Sequence, residues 1–169
     1  MLGRLGLKLH PQKTRRVVLT QGREGFDFLG CHLHKRLSGR LWQQKGLKRY
    51  YLQNWPGRKA MNRVRERVRE LTPRRRCHQD VRSVIAALNP VLRGWGQYFG
   101  TGNAANHFLD VDAYVEKRLR GLRVKRAGRN LRAGQAERWD RAYFESLGLH
   151  RLRGTIRYPG QPPGSRRTA

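Results

Sequence analysis

From Pro56 to Leu71 apolar side chains return every three or four residues, as Met61, Val64, Val68 and Leu71. That is the helical period, and it predicts a helix over 56–72 with Pro56 in its first turn. Val81, Val84, Ile85 and Leu88 form a second stripe behind Asp80, a natural N-cap. Asn89 and Pro90 predict a boundary there: Asn89 would cap a following helix and Pro90 would take its first position, where no donor is lost. GTGNAANHF (100–108) predicts another break, with Asn103 capping a helix that buries Phe108, Val111, Val115 and Leu119 or Leu122. In 136–148, Trp139, Tyr143 and Leu147 recur at spacings of four, and Gly148 suits a C-cap. Before Pro56 the pattern is extended. TRRVVLT (14–20) and FDFLGCHLH (26–34) predict two strands joined through QGREG as a hairpin, and RYYLQNW (49–55) a further strand. Segments 35–48 and 123–135 read as basic loops. The class is α+β: a β-hairpin region over 1–55, a mainly helical domain over 56–160, and a disordered tail over 161–169.

Charge changes the picture from a plain helical domain to one that needs a partner. The chain carries 38 Lys+Arg against 11 Asp+Glu, a net charge of +27 in 169 residues. Such a field opposes compaction and calls for a polyanion, of which nucleic acid is the obvious case. Arg supplies 30 of the bases. Its planar fork suits phosphate and base stacking, although a genome rich in Arg codons gives the same ratio. On the helix after Pro56, Arg58, Arg65 and Arg69 share one flank, while Glu66 and Glu70 lie on the other with Lys59 and Arg63. Tyr50, Tyr51 and Trp55 interleave with Arg49 and Arg58, a mixture that can stack unpaired bases or simply pack. Arg151, Arg153 and Arg157 alternate around Ile156 as a backbone track would require, and Arg118 joins the same cationic set.

The run LNPVLRGWGQYF (88–99) sets Pro90, Gly94 and Gly96 beside Trp95 and Phe99. Gly94 and Gly96 admit two readings: close packing of another segment against Trp95, or close approach of RNA backbone. Arg93 is the candidate phosphate or base contact in that run. Cys31, His32, His34, Cys77 and His78 lack the converging spacing of a zinc site, so no metal site is expected. No serine sits in a nucleophile context. Two cysteines without a CxxC, no apolar run of membrane length and no signal-peptide core suggest a reducing, cytoplasmic setting.

Four stretches together resemble the C-terminal part of group II intron reverse transcriptases, including their maturase-specific thumb region. They are LGLKLHPQKT (5–14), GFDFLGCH (25–32), LNPVLRGWGQYFGTGNA (88–104) and LGLHRLRGTIRYPG (147–160). Asn89, Pro90, Gly94, Trp95, Gly96 and Phe99 are the signature positions. The resemblance implies that 1–55 is the end of a polymerase palm, with Lys13 near the incoming nucleotide and Phe28, Leu29 and Gly30 as a primer-grip-like turn. It implies a thumb after Pro56 that binds group II intron RNA and assists its splicing, and in polymerisation holds template–primer duplex. The family's metal-holding aspartate pair should precede Leu5, and no adjacent Asp-Asp occurs in the sequence. The expectation is a binding module without a catalytic centre or cofactor of its own, Mg²⁺ belonging to the intron RNA or to a complete polymerase. The alternatives are a chain that polymerises with a separately encoded palm, or a remnant without function.

Overall fold

A computed structural model describes residue 10 and residues 17–128, 131–132 and 134–157. A three-stranded antiparallel sheet precedes a mainly helical region, an α+β arrangement. The strands are β1 (Gly25–Phe28), β2 (Cys31–Leu37) and β3 (Tyr50–Pro56), in the order β1-β2-β3. The helices are α1 (Gly39–Lys45), α2 (Arg58–Leu71), α3 (Val81–Phe99), α4 (Ala105–Ala127) and α5 (Arg141–Ser146). The chain divides into two compact units: residues 1–27 with 33–53, and residues 28–32 with 54–169.

The first unit holds most of the sheet and α1. The hairpin differs from the expected one. Thr20–Gly22 is a 3-10 turn, and the strand pair forms inside FDFLGCHLH. The reversal is at Leu29 and Gly30, with φ of 48° and 79°. Two consecutive left-handed residues match the twist of a tight hairpin, which the alternation of Phe26 and Phe28 alone did not reveal. Segment 35–48 is not a plain loop either: it contains α1, and Lys48 lies over the Trp42 ring at 5.2 Å. Tyr50, Tyr51 and Leu52 of β3 are exposed. Positions 11–16, where the first expected strand begins, lie outside the described residues, as do Lys13 and the tail.

The second unit owns the core. Met61, Val64 and Val68 of α2, Val81, Val84, Ile85, Leu88, Leu92 and Phe99 of α3, and Phe108, Val111, Val115, Leu119 and Leu122 of α4 are buried together, with Trp139, Phe144 and Leu152. Each fully buried Leu or Val contributes about 1.5–3 kcal/mol, so these stripes dominate the stability of the unit. They also decide the fate of Pro90. The expected boundary at Asn89–Pro90 is absent: α3 runs through it to Phe99. The stripe keeps its period across the proline, through Leu88, Leu92, Gly96 and Phe99. Breaking the helix would take those side chains from the core, more than the roughly 3 kcal/mol that a proline costs in a helix. Pro90 is on the exposed face, where water can satisfy the Ala86 carbonyl that has no amide to accept from.

The remaining helix ends mix agreement and correction. Asp80 caps α3 through Oδ1, which accepts from the Arg82 N–H at 3.0 Å. Asn103 does not cap α4; the N-cap is Ala104, without a side-chain bond, and the Asn103 N–H donates to the Asn54 carbonyl at 2.7 Å. α4 extends to Ala127, into the expected 123–135 loop. The expected helix over 136–148 is a 3-10 turn, Gln135–Arg138, followed by the short α5. Gly148 follows α5 with φ 91° and donates to the Glu145 carbonyl, as a helix stop should.

Candidate nucleic-acid interface

Past α5 the chain runs as a strap, residues 148–157, and three attachments hold it. Asn89 makes the first. Its Nδ2 donates to the Gly148 carbonyl at 2.9 Å, and its Oδ1 accepts from the His150 N–H at 2.8 Å. The side chain thus mimics a strand neighbour instead of capping a helix. Asp112, 8% exposed on α4, makes the second: its two carboxylate oxygens accept from the Leu152 N–H at 3.1 Å and the Arg153 N–H at 3.0 Å. Burial raises the Asp112 pKa, against the pull of those two N–H groups and of Arg141 and Arg151. The third is the Arg157 N–H, which donates to the Gly100 carbonyl at 2.7 Å.

Glycine lets the strap lie close. A methyl on Gly96 would come 2.6 Å from Cδ2 of Leu152, which is fully buried; one on Gly100 would meet the Gly96 carbonyl of α3 itself at 2.7 Å, with the strap's Thr155 carbonyl at 3.7 Å. Gly94, two residues earlier, faces open space. The packing reading therefore holds for Gly96, and Gly94 is on the accessible face. Trp95 packs inward against Phe99 at 4.9 Å and Phe108 at 5.3 Å between ring centroids.

Between the strap and the C-terminal half of α3 lies a groove of about 410 Å³. Arg93, Gln97 and the glycines 96 and 100 line one side, and His150 and Arg157 the other. Among the described residues its lining contains no carboxylate. The His150 imidazole has a lowered pKa, first through burial and then through the charge of Arg93, with Asp112 opposing. The groove is cationic, has a thin glycine floor and presents a histidine that is neutral at neutral pH. It can accept a phosphate backbone or an unpaired base.

The other expected contacts are distributed differently. Arg58 and Arg69 are exposed on α2. Arg65 is half-buried, and its charge adds to burial in lowering the pKa of His107, against Asp110. Arg118 closes the end of α2: Nε–H donates to Thr72 Oγ1 at 3.0 Å and Nη2 donates to the Thr72 carbonyl. A cation there also meets the negative end of the helix dipole. Arg151 is exposed, 3.7 Å from Glu145, and Arg153 is exposed beyond its backbone bond to Asp112. In the sheet unit, Arg49 and Tyr50 are exposed. Phe28 and Leu29 are 60% and 70% exposed at the hairpin turn, and the Gly30 carbonyl accepts from the Gly57 N–H at 2.8 Å, at the start of α2. Tyr98 donates its hydroxyl to the Leu29 carbonyl at 2.8 Å. Both cysteines are free. Among the described residues no three His, Cys, Asp or Glu side chains gather to hold a metal, and no helix is long and apolar enough to cross a membrane.

Sequence reasoning missed His150, Asp112 and the true task of Asn89. The strap attachments of Asn89 and Asp112 join positions 40 to 61 residues apart. A buried-side aspartate beside Val111 and Val115 was the one available signal for Asp112.

The helical unit is thus a basic three-helix core carrying an arginine-lined groove. Residues 61–143 match the family model of the group II intron maturase-specific domain, which supports reading the chain as a C-terminal maturase fragment. No curated protein matches the chain.

Proposed function

We propose that the chain binds folded group II intron RNA through the α3–strap groove and assists splicing by stabilising the active RNA fold. The observation that carries this is the convergence of Arg93, inside the segment that matches the maturase-specific domain, and Arg157, beyond it, on one groove whose lining among the described residues holds no carboxylate. Arg58 and Arg69 on α2 and Arg151 and Arg153 on the strap add exposed cations for phosphates outside it. Arginine forks neutralise phosphates and release counterions, and the shape and unpaired loops of the RNA supply specificity. The chain's role is binding and orienting; bond-making and its Mg²⁺ belong to the RNA. Filter-binding titrations against intron RNA and equal-length random RNA test this. Tighter binding of the intron is expected, weakened at least tenfold by Arg93→Gln with Arg157→Gln. Equal affinity for the two RNAs removes the maturase role.

A second reading is favoured by the exposure of Phe28, Leu29, Tyr51 and Leu52: these positions suit packing against further polymerase segments, with the chain holding template–primer duplex. Primer extension with and without a separately supplied palm checks it, and extension only in the mixture is the expected result.

A further inference from the structure

A second cationic cavity lies on other residues. It opens beside the last turns of α4 and the 3-10 turn Gln135–Arg138, has a volume of about 320 Å³, and is lined by Arg123, Arg126, Ala127, Arg138 and Trp139. Trp139 is 3% exposed and forms its base. The Arg120 Nε–H donates to the Trp139 carbonyl at 3.0 Å and fixes that residue. The guanidiniums of Arg138 and Arg123 lie 4.7 and 5.3 Å from the centroid of the same indole ring. A cation over an indole face is favourable, but two cations at one ring repel each other, and the repulsion grows as water is excluded.

Among the described residues no carboxylate comes within ion-pair distance of Arg123, Arg126 or Arg138; Glu116, the nearest acid along α4, is engaged by Arg120 at 2.7 Å and Arg141 at 3.5 Å. The Arg123 Nε–H is buried and has no hydrogen-bond partner. Leaving a charged donor unpaired is costly, which suits the position to an incoming acceptor. Arg126 is half committed, through one Nη1 bond to the Gln79 carbonyl at 3.3 Å. Three guanidiniums around one open cavity, one with an unpaired buried donor, match an anion with several oxygens.

We propose that Arg123, Arg126 and Arg138, seated on Trp139, form a second anion site that clamps a backbone phosphodiester of the bound RNA. This rests on the RNA-binding reading above and adds a contact that the groove does not make. The indole holds the two stacked forks in place before binding, so little side-chain freedom is lost when the phosphate arrives.

The test measures RNA affinity of the full chain across a series of salt concentrations, with inorganic phosphate as a separate probe. Arg138 is exposed, so Arg138→Gln should melt as the parent does; Arg123→Gln with Arg138→Gln removes both stacked cations. The log–log slope of affinity against salt is expected to become shallower by about 0.7–0.9 for each phosphate that is no longer neutralised. Arg123→Lys with Arg138→Lys, which keeps the charge, is expected to recover most of the slope. Glutamine variants that melt normally and keep the parental slope overturn the site. So does a free-anion result: phosphate raising the parental melting temperature above that in chloride of equal ionic strength, Arg138→Gln abolishing the rise, and the RNA slope unchanged. Failure of the unmutated chain to bind RNA overturns the broader reading along with this one and is seen before any variant is made, so the two failures are distinct.

Discussion

Gly94 and Gly96 sit two residues apart on α3, and a methyl added to each meets opposite surroundings. At Gly94 there is open space, so Gly94→Ala gains helix propensity and should stabilise the chain by about 0.5–1 kcal/mol. At Gly96 the methyl would meet buried Leu152, and overpacking of about 1–3 kcal/mol outweighs the same propensity gain. Thermal melts of the two variants should therefore move in opposite directions. Asp112 shows how one buried carboxylate can hold a segment 40 residues away. Asp112→Asn keeps one acceptor and turns an amide toward the other N–H, which should cost about 1–3 kcal/mol at neutral pH. Because burial raises the folded-state pKa above its ordinary 3.8, the folded chain binds a proton more tightly than the unfolded chain. Between the raised value and 3.8 this group therefore adds stability as pH falls, and the addition is lost as pH rises. Asn has no such response, so the parent's advantage over Asp112→Asn should widen with acid. Melts of both proteins from neutral pH to about pH 4 check the sign.

At the scale of elements, the strap is the part on which the groove depends, and Asn89 is its cheapest attachment to cut. Asn89→Ala removes two hydrogen bonds, together about 1–3 kcal/mol, while leaving the core stripe of α3 intact. The expected outcome is faster hydrogen exchange at the His150 amide and weaker RNA binding, with the helical circular dichroism unchanged. Unaltered exchange there would mean that Asp112 and Gly100 hold the strap alone. The stripes of α2, α3 and α4 were legible because a 3.6-residue period reports which side of a helix is buried. The same signal says nothing of what lies on the other side, so the partners of Asn89 and Asp112 were not legible. Pro90 misled for a related reason: its local preference marks a helix start, and burial of Leu88 and Leu92 on either side overrode it. The hairpin was placed too early because a glycine-rich QGREG looked like the turn, while the chain reverses at Leu29–Gly30. Of the candidate interface, Arg93 and Arg157 were legible as exposed cations in a basic chain, but not their convergence. Arg118 carried the same signal and serves Thr72 instead. Composition does not separate an arginine that closes a helix from one that lines an open groove.

For the molecule as a whole, the excess of 27 positive charges sets a long-range attraction for polyanions that salt screens, and in the proposed function the groove sets where the RNA lands. His150 offers a way to see the second apart from the first. In the free chain, burial and Arg93 keep its pKa below 6.5, so the imidazole is neutral at neutral pH. A phosphate in the groove brings negative charge to the same ring and favours the imidazolium, so binding takes up a proton. Linkage then requires affinity to rise as pH falls through the interval between the value in the complex and the value in the free chain. Folding has the opposite sign: a lowered histidine pKa contributes stability above 6.5 that is lost as pH falls toward the folded value. Acid should thus weaken the free protein slightly while tightening its complex, and a His150 variant separates the groove's share of that tightening from general charge attraction. At constant ionic strength, the dissociation constant for intron RNA should fall several-fold from about pH 7.5 to about pH 5.5. His150→Gln should flatten that dependence while leaving the salt slope near the parental value. An equal pH dependence in the variant would assign the titration to a group other than His150 and count against RNA in the groove.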